Sequence, residues 1–238
     1  MKSPYGLHVI ESCLTCPVLK DRLFCDLPKT VLGALDSISS TSSYPKDAVL
    51  FVEGQQPRGV FVICSGRVKL SMNSADGKCI LVRFAEAGEM VGLPGTLSGS
   101  PYEVTAETLE PVQANFIPRE AFLRFLRENG EAALRVTEML THIYLSTLRE
   151  VRYLGLSRTA TEKLARFLLD LTSHTPPGAD HARITLTLTH KEIGERIGAS
   201  RETVTRLFSD FRREHLVESH GSTLVLMDKT GLENLAGG

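Results

Sequence analysis

The sequence predicts an α+β fold, in which an N-terminal antiparallel β-roll is followed by a long helix and a C-terminal winged helix-turn-helix. Short apolar runs between glycine-containing turns fill residues 49–117, and a seven-residue apolar repeat follows them. A short helix, a glycine turn and a second amphipathic helix come near the C terminus. The predicted parts are a cysteine-containing segment over 1–28, the roll over 29–130, the long helix over 131–156 and the winged helix over 157–238.

The composition is typical of a soluble globular protein, with 42% hydrophobic and 23% charged residues. No apolar run approaches the about 20 residues that span a bilayer, and no basic region followed by an apolar core marks a secretory signal. We therefore expect a cytoplasmic protein without a membrane partner, in a compartment where disulfides are rare. The formal net charge is -1, so nucleic-acid binding requires a local basic patch.

A long helical region is predicted from Arg119 to about Gly155, and it includes the helix over 131–156, along which a repeat alternates between spacings of four and three. That repeat is typical of a seam between two helices, which predicts a homodimer. Apolar residues also flank the seam, so one stripe can meet a partner helix while another packs on the roll. The predicted seam comprises Val136, Leu140, Ile143, Thr147 and Leu154, and Glu150 interrupts it.

The helix-turn-helix is predicted within "LTHKEIGERIGASRETVTRLFSDFRREH". Thr189 and Glu192 form a capping box that begins the first helix, Gly198 permits a tight turn, and Ser200 caps the second helix. The following "ESHGSTLVLM" predicts a hairpin around His220 that serves as a small wing.

The second helix carries polar side chains near its N-terminal end, which is the end that enters the major groove of DNA in such motifs. Arginine can donate two hydrogen bonds to guanine, and glutamate can accept one from cytosine. The alternative is a solvated face with ordinary ion pairs, such as Glu202 with Arg206. The predicted base contacts are Arg201, Glu202, Thr205 and Arg206. The predicted phosphate contacts are Lys191, Ser200, Thr203, Arg212 and Arg213.

Three of the five cysteines, Cys13, Cys16 and Cys25, lie in the first 28 residues. In a reducing compartment this spacing indicates a metal or redox site rather than a disulfide. The residues leave open an iron–sulfur cluster, a thiol-redox site, and a packing segment or zinc site. Cys79 and Cys64 are candidates for a fourth ligand, but each is equally well explained as a small apolar strand residue. The position of Cys64 in a strongly apolar strand favours packing.

The succession of a β-roll, a long helix and a winged helix resembles the CRP/FNR family of bacterial transcription regulators. The resemblance is most specific at "LTHKEIGERIGASRETVTRLFSDF". It implies a homodimer that binds palindromic double-stranded DNA with TGA-containing half-sites, with Arg201, Glu202 and Arg206 contacting bases. The Arg-Glu-Thr-Val pattern suggests a TGTGA-like half-site. The resemblance also implies RNA polymerase as a partner, with "SHTPPGADHAR" as the contacting loop by family position.

The resemblance sets two expectations about ligands. Members that bind cyclic nucleotides carry a glycine–glutamate pair and a later arginine, whereas here "GLPG" and Tyr102-Glu103 occupy those places, which argues against a cyclic nucleotide. Oxygen-sensing FNR-like members hold a 4Fe–4S cluster with three N-terminal cysteines and a fourth in the roll. Cys13, Cys16 and Cys25 resemble the first three, but "LEPVQANFIP", where the fourth is expected, has no cysteine.

The leading hypothesis is a homodimeric transcription regulator that responds to redox state or oxygen through its N-terminal cysteines. The alternative is a regulator of the same family whose roll binds a small molecule or haem, the cysteines being structural or vestigial. A thiol-redox enzyme based on Cys13 and Cys16 is not expected, because no βαβ pattern accompanies the pair.

Overall fold

The computed structural model describes residues 4–7, 9–16, 24–74, 79–156, 159–171, 183–185, 188–220 and 223–237. The chain divides into two units, Met1–Leu145 and Ser146–Gly238. No helix within the described ranges is long and apolar enough to cross a membrane.

The first unit is built on two four-stranded antiparallel sheets, preceded by short 3₁₀ turns at Pro4–Gly6 and Cys13–Thr15. Its strands are β1 (Ser40–Tyr44), β2 (Val49–Phe51), β3 (Gly59–Ser65), β4 (Val68–Asn73), β5 (Cys79–Ala85), β6 (Met90–Val91), β7 (Thr105–Thr108) and β8 (Val112–Pro118). Its helices are α1 (Lys29–Ser37), α2 (Leu93–Ser98), α3 (Arg119–Glu128) and the first part of α4 (Gly130–Leu156). The sheet orders are β1-β8-β3-β6, called here the first sheet, and β2-β7-β4-β5, the second sheet.

Strand β3 shows how the first sheet separates two apolar cores. Phe61 and Ile63 point into the core between the two sheets, because side chains alternate along a strand. Val60 and Val62 point to the opposite face, where they pack with α1, α3 and the start of α4. Phe24, which is fully buried, joins this outer core, so the chain next to Cys25 is anchored on the outer face of the first sheet.

The predicted β-roll is confirmed, and each predicted apolar run contains a strand. Helix α1, the polar edge strand β1 and the short helix α2 were not predicted, since "STSSY" and "LPGTLS" lack the apolar patterns of strands and helices. The helical region predicted from Arg119 contains two helices, α3 and α4, which are separated at Asn129.

The predicted seam on α4 needs a correction. Val136 is only 3% exposed and packs with Met139 in the outer core of the roll, so it cannot reach a partner helix. Leu140 is half-buried against the same core, and Ile143 is also half-buried, whereas Thr147 is exposed. The side chain of Leu154 lies outside the described residues. The predicted repeat therefore coincides, over its first turns, with the face that packs on the roll.

The second unit contains the predicted helix-turn-helix and wing. Its elements are α5 (Ala160–Leu171), β9 (Arg183–Thr185), α6 (His190–Ile197), α7 (Arg201–Arg213), β10 (Val217–His220), β11 (Thr223–Leu226) and α8 (Lys229–Leu235). The antiparallel sheet has the order β10-β11-β9, and the turn between β10 and β11 lies outside the described residues. Helix α8 was not predicted; the carboxylate of Asp228 caps it by accepting a hydrogen bond of 2.8 Å from the Gly231 amide.

Gly194 lies where α6 approaches the turn before α7. Its carbonyl accepts a 2.9 Å hydrogen bond from the Ala199 amide, and a Cβ added to Gly194 would lie 2.5 Å from the Ala199 carbonyl oxygen. We expect Gly194→Ala to lower the free energy of unfolding by about 1–3 kcal/mol, because backbone atoms must move. The measurement is urea denaturation of the second unit, followed in the full chain by a probe placed there.

The matched control is Gly33→Ala in α1, where an added Cβ meets no atom within 4 Å. Alanine has the higher helix propensity, so this variant is expected to be unchanged or more stable by up to about 1 kcal/mol. Equal effects of the two substitutions would contradict the steric argument.

Candidate functional site

The turn between α6 and α7 is fixed by local hydrogen bonds. Thr189 and Glu192 form a capping box at the start of α6, with the Glu192 amide 3.2 Å from the Thr189 hydroxyl and the Thr189 amide 2.7 Å from the Glu192 carboxylate. Gly198 ends α6 with φ of 67°, and the Ser200 hydroxyl accepts a 3.2 Å hydrogen bond from the Thr203 amide to begin α7. These are the caps and turn that the sequence predicts.

Helix α7 buries one face and exposes the other. Val204, Leu207, Phe208 and Phe211 pack in the core of the second unit. Within the described part of the chain, Glu202 and Arg206 form no ion pair with each other, although their spacing would allow one. Their charged groups are therefore available to a ligand. The exposed predicted contacts are Lys191, Ser200, Arg201, Glu202, Thr205, Arg206, Arg212 and Arg213, while Thr203 is half-buried.

Each end of α7 carries a charged side chain whose state depends on local partners. The pKa of Glu202 is lowered, first by its own backbone amide at the helix N terminus, then by the Ser200 hydroxyl and Arg201. Glu202 is therefore an ionised hydrogen-bond acceptor at neutral pH. Arg213 pairs with Asp210 at 2.7 Å, which fixes that guanidinium near the helix C terminus.

His190 is a positioning residue that the sequence did not reveal. Its ring stacks on Phe208 with a 5.0 Å centroid distance and an 8° interplanar angle, and its Nδ1 lies 2.9 Å from the Thr205 hydroxyl. That hydroxyl donates to the Arg201 carbonyl at 2.9 Å, so His190 Nδ1 is the donor to Thr205. Burial, followed by Arg212 and Arg201, lowers the pKa of His190. The hydroxyl of Thr205 is thus engaged within the chain.

A second candidate site is a cavity of about 30 Å³ on the outer face of the first sheet. Four of the five cysteines line it: Cys13, Cys16, Cys25 and Cys64. The other lining residues are Ile10, Ser12, Leu32, Leu35, Val62, Ile63, Gly88 and Asn115, with no charged side chain among them. The five cysteines, all within the described ranges, form no disulfide.

Two polar side chains, those of Gln113 and Asp36, hydrogen-bond the N-terminal segment beside this cavity. Gln113, fully buried on β8, accepts from the Ile10 amide at 2.8 Å and donates to the Ile10 carbonyl at 2.6 Å. Asp36 of α1 accepts from the Ser12 hydroxyl at 2.8 Å and from the Cys13 amide at 3.0 Å. Burial would raise the pKa of Asp36, but these hydrogen bonds outweigh it and the pKa is lowered.

The stretch in which a fourth cysteine is expected does reach the cavity, but with an amide. Asn115 of β8 is 5% exposed, and its Nδ2 donates to Cys13 Sγ at 3.4 Å. The Thr41 hydroxyl donates to the Asn115 Oδ1 at 2.8 Å, which orients the amide nitrogen toward the sulfur. Asn115 therefore supplies a hydrogen-bond donor to sulfur rather than a thiol.

The structure separates the two candidates for the fourth ligand. Cys64 of β3 lines the cavity with the N-terminal cysteines, although its apolar strand had favoured a packing role. Cys79 begins β5 of the second sheet, where it pairs with Asn73, and it is not among the lining residues. Cys79 therefore does not share a site with Cys13 and Cys16.

Burial dominates the acid–base behaviour of these thiols. It raises the pKa of Cys13 to about 12, with smaller contributions from Asp36, Cys25 and Cys16. It also raises the pKa of Cys64 to about 12, with contributions from Cys13, Cys25 and Cys16. Both thiols are protonated at neutral pH without a bound metal, whereas reactive thiols have lowered pKa values.

The donor set fits a thiolate-liganded iron–sulfur cluster, which takes four cysteines. Among the described residues, no group of three or more His, Cys, Asp and Glu side chains is arranged to hold a single metal ion. The cavity of about 30 Å³ has room for only about one or two water molecules. A cluster would therefore fit only if the cavity enlarged.

A larger cavity, of about 270 Å³, lies among residues of both sheets. Aromatic side chains and the exposed Arg58 line it. Tyr102, where the resemblance would place a phosphate-binding arginine, is 3% exposed, and its hydroxyl donates to the Gly59 carbonyl at 2.5 Å. Glu89, in the Gly88–Glu89 dipeptide that precedes "MVGLPG", is paired with Arg83 at 2.9 Å. Tyr102 and Glu89 thus both have structural partners within the roll.

Comparisons with known proteins agree with this architecture. Residues 41–129 match the family model "Cyclic nucleotide-binding domain", and 162–235 match "Crp-like helix-turn-helix domain". The transcriptional activator protein FnrA of Stutzerimonas stutzeri is 30% identical over 231 residues, covering 95% of this chain and 93% of the relative. A CRP-like cAMP-activated global transcriptional regulator of Mycobacterium tuberculosis is 25% identical, covering 90% and 96%.

Among solved structures, a CooA mutant from Carboxydothermus hydrogenoformans shares the fold with a TM-score of 0.72 and 22% identity, covering 84% of this chain and 88% of that one. A roll of this type together with a capped helix-turn-helix defines a DNA-binding transcription regulator rather than an enzyme. The chain belongs to the CRP/FNR family of transcriptional regulators.

Proposed function

We propose that this chain is a homodimeric regulator that senses oxygen or redox state through a 4Fe–4S cluster and binds palindromic DNA with TGA-containing half-sites. The observation that carries the sensing part is the convergence of Cys13, Cys16 and Cys25 on one cavity with a further thiol. The relative named FnrA supports the FNR-like branch, which the N-terminal cysteines also indicate.

The residues around the cavity have distinct roles in this proposal. The thiols of Cys13, Cys16 and Cys25 would hold the cluster as thiolates, each having given up its proton to solvent. Asn115 donates a hydrogen bond to the sulfur of Cys13, and Asp36 ties the cysteine turn to α1. A bound cluster supplies a redox centre whose potential depends on charge, hydrogen bonds to sulfur and solvent exposure.

Helix α4 supports dimerisation through a stripe different from the predicted seam. Its exposed residues recur with the three–four spacing of a two-helix seam. The hydroxyls of Thr137 and Thr141 donate to the carbonyls of Ala133 and Thr137 at 2.9 Å, so both threonines can be buried without losing a hydrogen bond. The proposed dimer stripe comprises Leu134, Thr137, Thr141, Tyr144, Leu148 and Val151.

The DNA contacts proposed for α7 are Arg201, Glu202 and Arg206 at base edges, because their charged groups are exposed at its N-terminal half. Lys191, Ser200, Thr203, Arg212 and Arg213 are the proposed phosphate contacts. RNA polymerase is the proposed protein partner. The loop suggested for it falls almost wholly on 172–182, outside the described residues.

A second candidate signal is a small anionic molecule in the larger cavity of the roll. The exposed guanidinium of Arg58 beside aromatic walls favours this alternative, in which the cysteines would be structural. Calorimetry with cyclic nucleotides, together with absorption spectra after addition of haem, distinguishes it from the cluster hypothesis.

The main test is anaerobic reconstitution with iron and sulfide. We expect a brown protein with about four iron and four sulfide atoms per chain. We also expect its affinity for a duplex with two TGTGA-like half-sites to change roughly 5- to 150-fold after exposure to air. Iron and sulfide analysis and fluorescence anisotropy are the measurements, and Cys13→Ala/Cys16→Ala is the control. A colourless, iron-free wild-type protein would refute the sensing proposal.

A further inference from the structure

We infer that Cys64 of β3 supplies the fourth thiolate for the cluster held by Cys13, Cys16 and Cys25, in place of a residue from β8. The inference rests on the proposed function, since it assigns a ligand of the same site. It goes beyond that function by assigning the ligand to a different strand from the one in which a fourth cysteine is expected.

The first support is the shared cavity. Cys64 lines it together with the three N-terminal cysteines. No carboxylate or imidazole is among the lining residues, so the thiol of Cys64 is the only further strong iron ligand that lines the cavity within the described part of the chain. The amide of Asn115 is neutral, and Thr41 and Cys13 already engage it.

The second support is the pairing of β3 with β8. Val62 lies opposite Asn115, and the register shifts between Ile63 and Ser65, which leaves Cys64 as the extra residue of a β-bulge. A bulge redirects side chains. Here the bulge residue is Cys64, which lies two residues along β3 from Val62, the direct partner of Asn115. Neighbouring strands therefore present Asn115 and Cys64 to one cavity.

The bonds and the proton involved in ligation by Cys64 can be accounted for directly. The S–H bond breaks, an S–Fe bond forms, and the proton passes to solvent. Among the described residues no charged side chain lines the cavity, and Asp36 accepts from the Cys13 amide beside it, so the four thiolates and this carboxylate would set the charge of the site. Loss of one of four such ligands leaves an iron atom without protein coordination.

The test compares Cys64→Ala and the near-isosteric Cys64→Ser with Cys79→Ala, each as the full-length chain reconstituted anaerobically with iron and sulfide. The readouts are iron and sulfide per chain, the visible absorption spectrum and the Mössbauer spectrum. We expect Cys79→Ala to match the wild type, and both Cys64 variants to lose at least about half of the bound iron or to hold a cluster of lower nuclearity. Circular dichroism before reconstitution establishes that each variant is folded.

A rescue variant makes the test sharper. Asn115 already reaches within 3.4 Å of Cys13 Sγ, so Cys64→Ala/Asn115→Cys places a thiol on the neighbouring strand β8, beside the same cavity. We expect this double variant to recover the iron content and spectrum that Cys64→Ala loses, which a merely structural role of Cys64 would not produce.

The outcomes separate the two proposals. Wild-type iron content and spectra in folded Cys64 variants would overturn the assignment of Cys64 and leave the sensing proposal intact. A wild-type chain that binds no cluster would overturn both. Loss of iron in Cys79→Ala but not in the Cys64 variants would move the fourth ligand to the second sheet.

Discussion

Leu148→Glu is expected to convert the dimer into monomers and to lower operator affinity more than about a hundredfold. Leu148 is 46% exposed in the single chain and lies in the C-terminal half of the dimer stripe on α4. In a two-fold symmetric seam each substitution occurs twice, and each carboxylate would be buried without a partner, at a cost of several kcal/mol. Since about 1.4 kcal/mol is tenfold in an equilibrium constant, the dimer should dissociate at micromolar concentrations.

Sedimentation velocity measures the mass, and fluorescence anisotropy measures operator binding. The matched control is Ile80→Glu on β5, where an isoleucine is 48% exposed outside α4. It introduces the same charge at a similar exposure and is expected to leave the dimer unchanged. A Leu148→Glu variant that remains dimeric would show that the stripe is not the interface.

The seam illustrates what periodicity can and cannot predict. The three–four spacing in the sequence correctly predicted a long helix, but α4 carries apolar residues at that spacing on more than one face. Val136 and Met139 belong to the face that packs on the roll, while Tyr144 and Val151, each 62% exposed, belong to another. The choice between faces depends on contacts with distant strands, which no local pattern encodes.

The cysteine cavity likewise combines residues that the sequence pattern could identify with one that it could not. Cys13, Cys16 and Cys25 were predictable because they are close together in the sequence. Cys64 was assigned a packing role because its neighbours are apolar, but alternation along β3 places it on the outer face with Val62, next to Asn115 of β8. What the sequence alone does not show is that the N-terminal turn packs on this face of β3, because that contact joins residues far apart in the chain.

The helix-turn-helix was predictable in more detail because its signals are local. The capping box, the glycine turn and the Ser200 cap all involve residues within a few positions of one another. What the sequence did not reveal was tertiary: the stacking of His190 on Phe208 and the close approach of Gly194 to Ala199. Local chemistry thus predicted where α7 begins, and side-chain packing between helices determines how it is held.

The proposed DNA contacts give the other large effect. Arg206→Ala is expected to lower affinity for the specific duplex by roughly 30- to 20,000-fold, because one base contact worth about 1–3 kcal/mol is lost in each half of a symmetric site. Glu202→Ala should act similarly, since the ionised carboxylate is an exposed acceptor on the same helix turn. Both residues lie on the solvated face of α7, so neither variant should lower the stability of the fold appreciably.

Arg213→Ala is the matched control, because it removes the same charge from the other end of α7, where the guanidinium pairs with Asp210 at 2.7 Å. As a phosphate contact it should weaken binding to specific and scrambled duplexes alike and reduce the salt dependence, whereas Arg206→Ala should weaken specific binding selectively. Anisotropy titrations with both duplexes at several salt concentrations separate the two patterns. If Arg206→Ala lowers both affinities by the same factor, its guanidinium contacts phosphate, and base recognition by α7 must depend on Arg201 and Glu202 instead.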